Sequence, residues 1–288
     1  MSRTICLSGL WRPALVLVAA AALVPAAENR APAEKRGVSP NNFNIHLWEP
    51  GKVPGAKGDG PLDNPFLTVF QPPEGKRNDG AIVVAPGGSN IMLMYGAEGM
   101  NIAERYNDWG VTAFVLTYRL SPRYPQDARV ADAKRALQVV RSRAAEFKIN
   151  PAKVGFIGFS AGSNLGRDLI DASGPGDTNA VDPVERLSSR PDYVGLVYGP
   201  GRTRPGQDLK NYPPIFLCAA EYDKGTSLGS AQLFTELTKA GAVVEAHLYQ
   251  KGRHGFGDGE GDPEFHDWMP RLELFLKLNG FIPNGDKQ

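Results

Sequence analysis

Lys153-Val-Gly-Phe-Ile-Gly-Phe-Ser-Ala-Gly162 is an apolar run that ends in a serine flanked by glycines two positions away on either side. The run Lys153–Ile157 reads as a strand, and Ser160–Ile170 reads as a helix, so Gly158–Gly162 is a G-x-S-x-G turn between the two. A turn this sharp strains the serine backbone, and side chains two before and two after would collide, which glycine avoids. It lifts the Ser160 hydroxyl clear of the sheet, at a helix N-terminus, where the N–H of Ala161 faces a developing oxyanion. A bare G-x-S-x-G is common and could be no more than a serine N-cap. The strand before it and the helix after it make Ser160 the nucleophile candidate.

Outward from that turn, short apolar runs alternate with amphipathic stretches. The expected strands are Phe66–Phe70, Ala81–Ala85, Thr112–Tyr118, Lys153–Ile157, Tyr193–Tyr198, Ile215–Ala220 and Val243–Tyr249. Most are near-continuous Val, Ile, Leu and Phe, as in strands covered on both faces of a parallel sheet. The expected helices are Ala97–Trp109, Ala128–Phe147, Ser160–Ile170, Leu228–Ala240 and Glu264–Leu278. In the second, Val130, Ala133, Leu137, Val140 and Ala144 form one face. Arg129, Lys134, Arg135, Arg141 and Arg143 fall largely on the other, which reads as a solvated charged face. The alternation predicts an α/β fold, a doubly wound, mostly parallel sheet with helices on both faces.

A serine at such an elbow is followed in the chain by an acid and then a histidine. Of the four histidines, His46 precedes Ser160, His247 lies mid-strand, and His266 lies in the last helix, where a surface position is expected. His254 sits in Lys251-Gly-Arg-His-Gly-Phe-Gly257, directly after the last strand, where catalytic groups collect at a sheet's carboxyl edge. Glu221-Tyr-Asp223 follows strand Ile215–Ala220. Asp223 is preferred as the acid because it falls in the turn, and Glu221 is the competitor. Pro86-Gly-Gly-Ser89 follows strand Ala81–Ala85, and its glycines allow backbone N–H groups to approach a substrate, with Gly88 or Ser89 the expected donor. Tyr95, Phe256 and Trp268 are aromatic candidates for a sugar or acyl contact, with ordinary core packing at least as good a reading of each. The Gly-, Asp- and Pro-rich segment Ala172–Asp192 suggests a loop over the site.

Composition narrows the chemistry. The chain has 288 residues, is 42% apolar, and balances 32 basic against 31 acidic residues, without a basic block. That is a globular composition, unsuited to electrostatic binding of nucleic acid. Residues 1–27 carry Arg3 and Arg12, the apolar run Ala14–Val24 and the small-residue exit Pro25-Ala-Ala27. They read as a secretory signal cleaved near Ala26, too short to remain as a membrane anchor. Residues 28–42 read as a flexible linker, and 43–288 as one catalytic domain. Removal of the signal takes the formal charge from +1 to −1. It also removes Cys6, leaving Cys218 without an intramolecular partner. There is no H-E-x-x-H or paired C-x-x-C spacing and no dinucleotide fingerprint, so neither a metal nor a cofactor is expected.

Several stretches together resemble the α/β-hydrolase family, in its branch of small exported acetyl-xylan-esterase-like and feruloyl-esterase-like serine esterases. They are Ala85–Ser89, Tyr118-Arg119-Leu120 with Arg123-Tyr124-Pro125, Asp132-Ala133, Ile149-Asn150-Pro151, Gly158–Gly162, Asp182-Pro-Val184, Ser188–Asp192 and Gly255-Phe256. The resemblance spans roughly residues 43–280. It implies Ser160, Asp223 and His254 as a triad, and the Gly87–Ser89 loop (Gly87, Gly88, Ser89) with Ala161 as the oxyanion hole. It also implies a carboxylic ester substrate, small or polysaccharide-borne, such as acetylated xylan. Two positions depart from the family pattern, Ser89 and Ser163, where relatives commonly carry glycine. Three rival readings are a serine peptidase of the prolyl-oligopeptidase type, which usually carries a large added domain, a subunit of a larger assembly whose partner completes the site, and a catalytically silent binding protein. An intact Ser, Asp and His weighs against the last.

Overall fold

A computed structural model describes residues 42–199 and 206–284. The expected signal sequence and all but the last residue of the expected linker lie outside the described residues. An eight-stranded sheet runs in the order β1-β2-β4-β3-β5-β6-β7-β8. Its strands are β1 (Phe43–His46), β2 (Phe66–Phe70), β3 (Ala81–Ala85), β4 (Thr112–Thr117), β5 (Val154–Phe159), β6 (Val194–Val197), β7 (Ile215–Ala220) and β8 (Val244–Tyr249). From β4 to β8 in that order every pairing is parallel, whereas β2 runs antiparallel to both β1 and β4. Each expected strand is present within about two residues, as expected for pattern reading. Strand β1 is new. Its pattern is mostly exposed, so it carries no apolar run to reveal it.

The strands bury both faces by strict alternation. Val83, Phe114, Phe156 and Leu217 point into one apolar layer, and Val84, Val115, Ile157 and Phe216 into the other. The first layer is closed by α2 (Gln126–Ser142), α4 (Ala161–Ala172) and α5 (Lys224–Ala240), through Leu137, Leu165 and Leu233 among others. The second is closed by α1 (Asn101–Asp108) and α6 (Trp268–Leu278), through Ile102, Tyr106, Leu272 and Phe275. This is the doubly wound sheet that the alternation predicts. Among the described residues no helix is long and apolar enough to cross a membrane.

Three expectations are corrected. The helix expected at Ala97–Trp109 is a π-helical turn, Gly96–Met100, leading into α1. The helix expected at Ala128–Phe147 breaks at Arg143 into α2 and a short α3 (Ala144–Phe147). Most consequentially, the arginine face of α2 is not solvated. Arg129, Arg135 and Arg141 are buried. Arg141 donates to the carbonyls of Pro151, Ser188 and Arg190 and pairs with Asp192 at 2.8 Å, and Arg135 donates to the carbonyl of Leu47 and pairs with Asp182 at 2.6 Å. Loop carbonyls have no ladder partners, and guanidinium groups supply the donors that they lack.

Candidate active site

Ser160 sits at the junction of β5 and α4 with φ 51° and ψ −113°, a strained conformation for a residue with a side chain. Its N–H donates to the carbonyl of Val197 at 3.0 Å, which pins the turn to β6. A Cβ on Gly158 would lie 2.1 Å from the carbonyl oxygen of Gly162, and one on Gly162 would lie 2.0 Å from that of Ala85. Only glycine fits at either position, as expected for an elbow pressed against its own helix and the neighbouring strand.

The structure brings Ser160, His254 and Asp223 together from three separate strand ends. His254 Nε2 lies 2.7 Å from Ser160 Oγ, and His254 Nδ1 is hydrogen-bonded to Asp223 Oδ2. Asp223 stands at the N-cap of α5 but does not cap it. Its Oδ2 instead faces the imidazole and accepts a further hydrogen bond from Thr226 Oγ1 at 2.6 Å. Thr226 is a supporting residue that sequence reading missed. The signal that could have found it is an acid at a helix N-cap followed three residues on by a hydroxyl. Glu221 is exposed, and its backbone N–H extends the β7–β8 ladder to Tyr249. Both nitrogens of the His254 ring are already engaged by Ser160 and Asp223.

The other histidines stand apart from this cluster. His46 lies on the edge strand β1, and His266 is exposed just before α6. His247 in β8 stacks on Phe216 and bonds Glu245 at 2.7 Å. Cys218 is fully buried on β7, and burial raises its thiol pKa well above the ordinary value, which keeps it protonated.

Ala161 opens α4, and among the described residues its N–H has no backbone acceptor. The loop after β3 is packed against the serine: a Cβ on Gly87 would lie 2.8 Å from Ser160 Cβ. Gly87 is not itself a free donor, because its N–H is given to the buried Glu98 carboxylate at 2.7 Å. The next residues, Gly88 and Ser89, occupy positive φ at 126° and 55°. The hydroxyl of Tyr118 holds the loop from behind by donating to the carbonyl of Pro86 at 2.7 Å.

The aromatic candidates separate. Trp268 is 0% exposed and packs among Phe159, Phe216 and Phe256 in the core, so it is unavailable to a substrate. Tyr95 is half-buried, with its hydroxyl bonded to Thr68 on β2. Phe256 is half-buried beside the histidine loop, stacked on Phe265 at 4.1 Å. The segment 172–192 does not cover the site. Asp192 N–H donates to the carbonyl of Val154, at the start of β5. Ser160 follows the other end of that strand, about 20 Å away at the usual rise per residue.

Residues 67–173 match the BD-FAE family model. The chain is 28% identical over 200 residues to an acetylxylan esterase of Xylanibacter ruminicola, covering 62% of this chain and 41% of that protein. It is 25% identical over 245 residues to endo-1,4-beta-xylanase B of Butyrivibrio fibrisolvens, covering 74% and 38%. The chain thus spans about two fifths of the length of these curated relatives. Among solved structures, an acetyl ester-xyloside bifunctional hydrolase from Caldicellulosiruptor lactoaceticus superposes with a TM-score of 0.76 at 29% identity, covering 83% of this chain and 97% of that one. Esterase 2 of Thermogutta terrifontis superposes at 0.69 with 22% identity, covering 86% and 97%. The fold is the α/β-hydrolase fold, and the sequence resembles acetylxylan esterases.

Proposed function

We propose that this protein is a serine carboxylic ester hydrolase, with Ser160 as nucleophile, His254 as general base and then acid, and Asp223 as the group that orients and stabilises the imidazolium. The observation that carries this reading is the chain of hydrogen bonds from Asp223 through His254 to Ser160 Oγ at a strained elbow. His254 takes the hydroxyl proton as Oγ attacks the ester carbonyl. The N–H groups of Ala161 and of Gly88 or Ser89 receive the oxyanion. His254 then protonates the departing alkoxide, and water repeats the sequence on the acyl-enzyme. Each oxyanion donor is worth about 3–4 kcal/mol in such sites.

Its substrates are acetyl esters on polysaccharide, xylan foremost. The relatives named for acetylxylan esterase and acetyl ester hydrolase activity support this. The protein is exported after cleavage near Ala26, a reading that rests on residues 1–27 and that N-terminal sequencing of protein from the producing cell tests.

The decisive experiment is hydrolysis of p-nitrophenyl acetate, followed by a panel of acetylated xylan, feruloylated arabinoxylan and short aminoacyl-proline reporter peptides. Ester turnover that falls by about 10⁴-fold or more in Ser160→Ala is expected. Full activity in that variant would sink the mechanism. Release from the peptides in preference to the esters would favour a peptidase.

A further inference from the structure

Glu98 is a carboxylate that the proposed reaction does not use. It lies in the π-helical turn Gly96–Met100 and is 4% exposed. Among the described residues no lysine, arginine or histidine forms an ion pair with it. A buried carboxylate without a cation is costly unless hydrogen bonds engage its oxygens. Both oxygens are engaged: Oε2 accepts the Gly87 N–H at 2.7 Å, and Oε1 accepts the Tyr198 hydroxyl at 2.8 Å.

Tyr198 is unusual in its own right. It follows β6 with φ 36°, a strained value for a bulky residue. Its ring lies 4.9 Å from the His254 imidazole and 4.6 Å from Phe256. Its oxygen accepts the Gly257 N–H at 3.3 Å. Burial, reinforced by the Glu98 charge, raises its phenol well above the ordinary pKa, so it stays a donor.

We infer that Glu98 and Tyr198 form a positioning pair that holds the oxyanion loop after β3 and the His254 loop after β8 in register with each other. Glu98 takes the first N–H of the loop, which turns the following peptides so that the N–H groups of Gly88 and Ser89 stay free for the substrate. Tyr198 links that carboxylate to the backbone of Gly257 and lays its ring against the imidazole. The two loops belong to opposite ends of the chain, and no other described hydrogen bond joins Gly87, through a single carboxylate and phenol, to the segment beside His254. The strain at Tyr198 is held in place by these contacts. A shift of an ångström in either loop is enough to slow acyl transfer markedly.

This inference rests on the esterase reading, and its test separates the two. Tyr198→Phe, Glu98→Gln and Glu98→Ala are made in the full chain. Each is assayed on p-nitrophenyl acetate, for thermal midpoint, and for affinity toward a boronic acid that forms a tetrahedral adduct on the serine. Expected for Tyr198→Phe is a fall in kcat on the order of 10- to 100-fold, with KM within about threefold, a midpoint lowered by the loss of the hydroxyl on buried Glu98 Oε1, and boronate affinity falling in step with kcat/KM. Glu98→Gln should retain more activity than Glu98→Ala, since an amide oxygen still accepts the Gly87 N–H. Wild-type kcat in Tyr198→Phe, or a loss of kcat with boronate affinity unchanged, overturns the inference. If both Glu98 variants fail to fold, Tyr198→Phe alone decides, because it removes one oxygen and leaves the ring packing intact. A wild-type protein inert toward every ester overturns the esterase reading itself; an active wild type with indifferent variants overturns only the positioning role.

Discussion

At the scale of the residue, His247 within β8 and His254 in the loop after it make the sharpest contrast. His254 has a nitrogen on Ser160 and another on Asp223, whereas His247 has Glu245 and a stacked Phe216. His254→Ala should lower kcat on p-nitrophenyl acetate by several orders of magnitude and leave the thermal midpoint near that of the parent. His247→Ala should do the reverse, lowering stability by about 1 kcal/mol with turnover preserved. An exchange of these two outcomes in paired kinetics and melting would reassign the base. Asp223→Asn should lower kcat by about 10⁴-fold, because an amide facing Nδ1 selects the wrong imidazole tautomer. That Ser160, His254 and an acid after β7 would meet was legible in sequence, because chain order and the ends of strands constrain them; the packing alone brings Asp223 rather than Glu221 to His254 Nδ1. Thr226 had only the faint local signal of a hydroxyl three residues after Asp223, and Glu98 and Tyr198 had none, because their partners lie 11, 59 and 100 positions away.

At the scale of the element, two misreadings share a cause. Alternation and helical periodicity report which face of an element is apolar, but they do not report what covers the other face. Helix α2 has arginines opposite its apolar stripe, which ordinarily means solvent. Here the segment 182–192 lies over them, and the arginines hold its carbonyls. Arg141→Ala should therefore destabilise the fold by about 2–4 kcal/mol, the usual scale for several lost charge-assisted bonds. Because that contact sits at the far end of β5 from Ser160, kcat of the folded fraction should stay within twofold; denaturant melts and active-site titration measure the two. Trp268 makes the complementary case. An aromatic near a site invites a substrate role, yet it is packed at 0% exposure between α6 and the sheet. Trp268→Ala should cost about 3–5 kcal/mol, with KM for small esters unchanged. A raised KM at unchanged stability would restore the substrate role.

At the scale of the whole molecule, two apolar layers enclose one sheet, and the chemistry gathers at the sheet's carboxyl edge. The link between layers and edge includes Arg119, at the end of β4, whose guanidinium bonds Asp132 of α2 and the carbonyl of Pro54, at 1% and 0% side-chain exposure for the ion pair. Asp132→Ala would leave a buried guanidinium uncompensated and should destabilise by about 3–5 kcal/mol, read by urea unfolding. A loss under 1 kcal/mol would show that Arg119 finds another acceptor. Among the described residues, the apolar positions that build both layers begin at Ile45.

Local sequence was enough for the doubly wound sheet, the elbow and the order in which Ser160, an acid and His254 follow one another. These depend on local periodicity, on glycine where a Cβ cannot fit, and on the rule that side chains at strand ends meet at one edge. Which N–H of the Gly87–Ser89 loop is taken, whether Asp223 or Glu221 meets the imidazole, and what covers α2 follow from the packing alone. Each of these depends on a contact between distant segments, and a buried donor or acceptor takes whichever partner the packing brings within reach. Glu98 shows the reason most plainly: as sequence it is one acid in a helical stretch, and as structure it takes the Gly87 N–H, which the glycine motif alone would have left free.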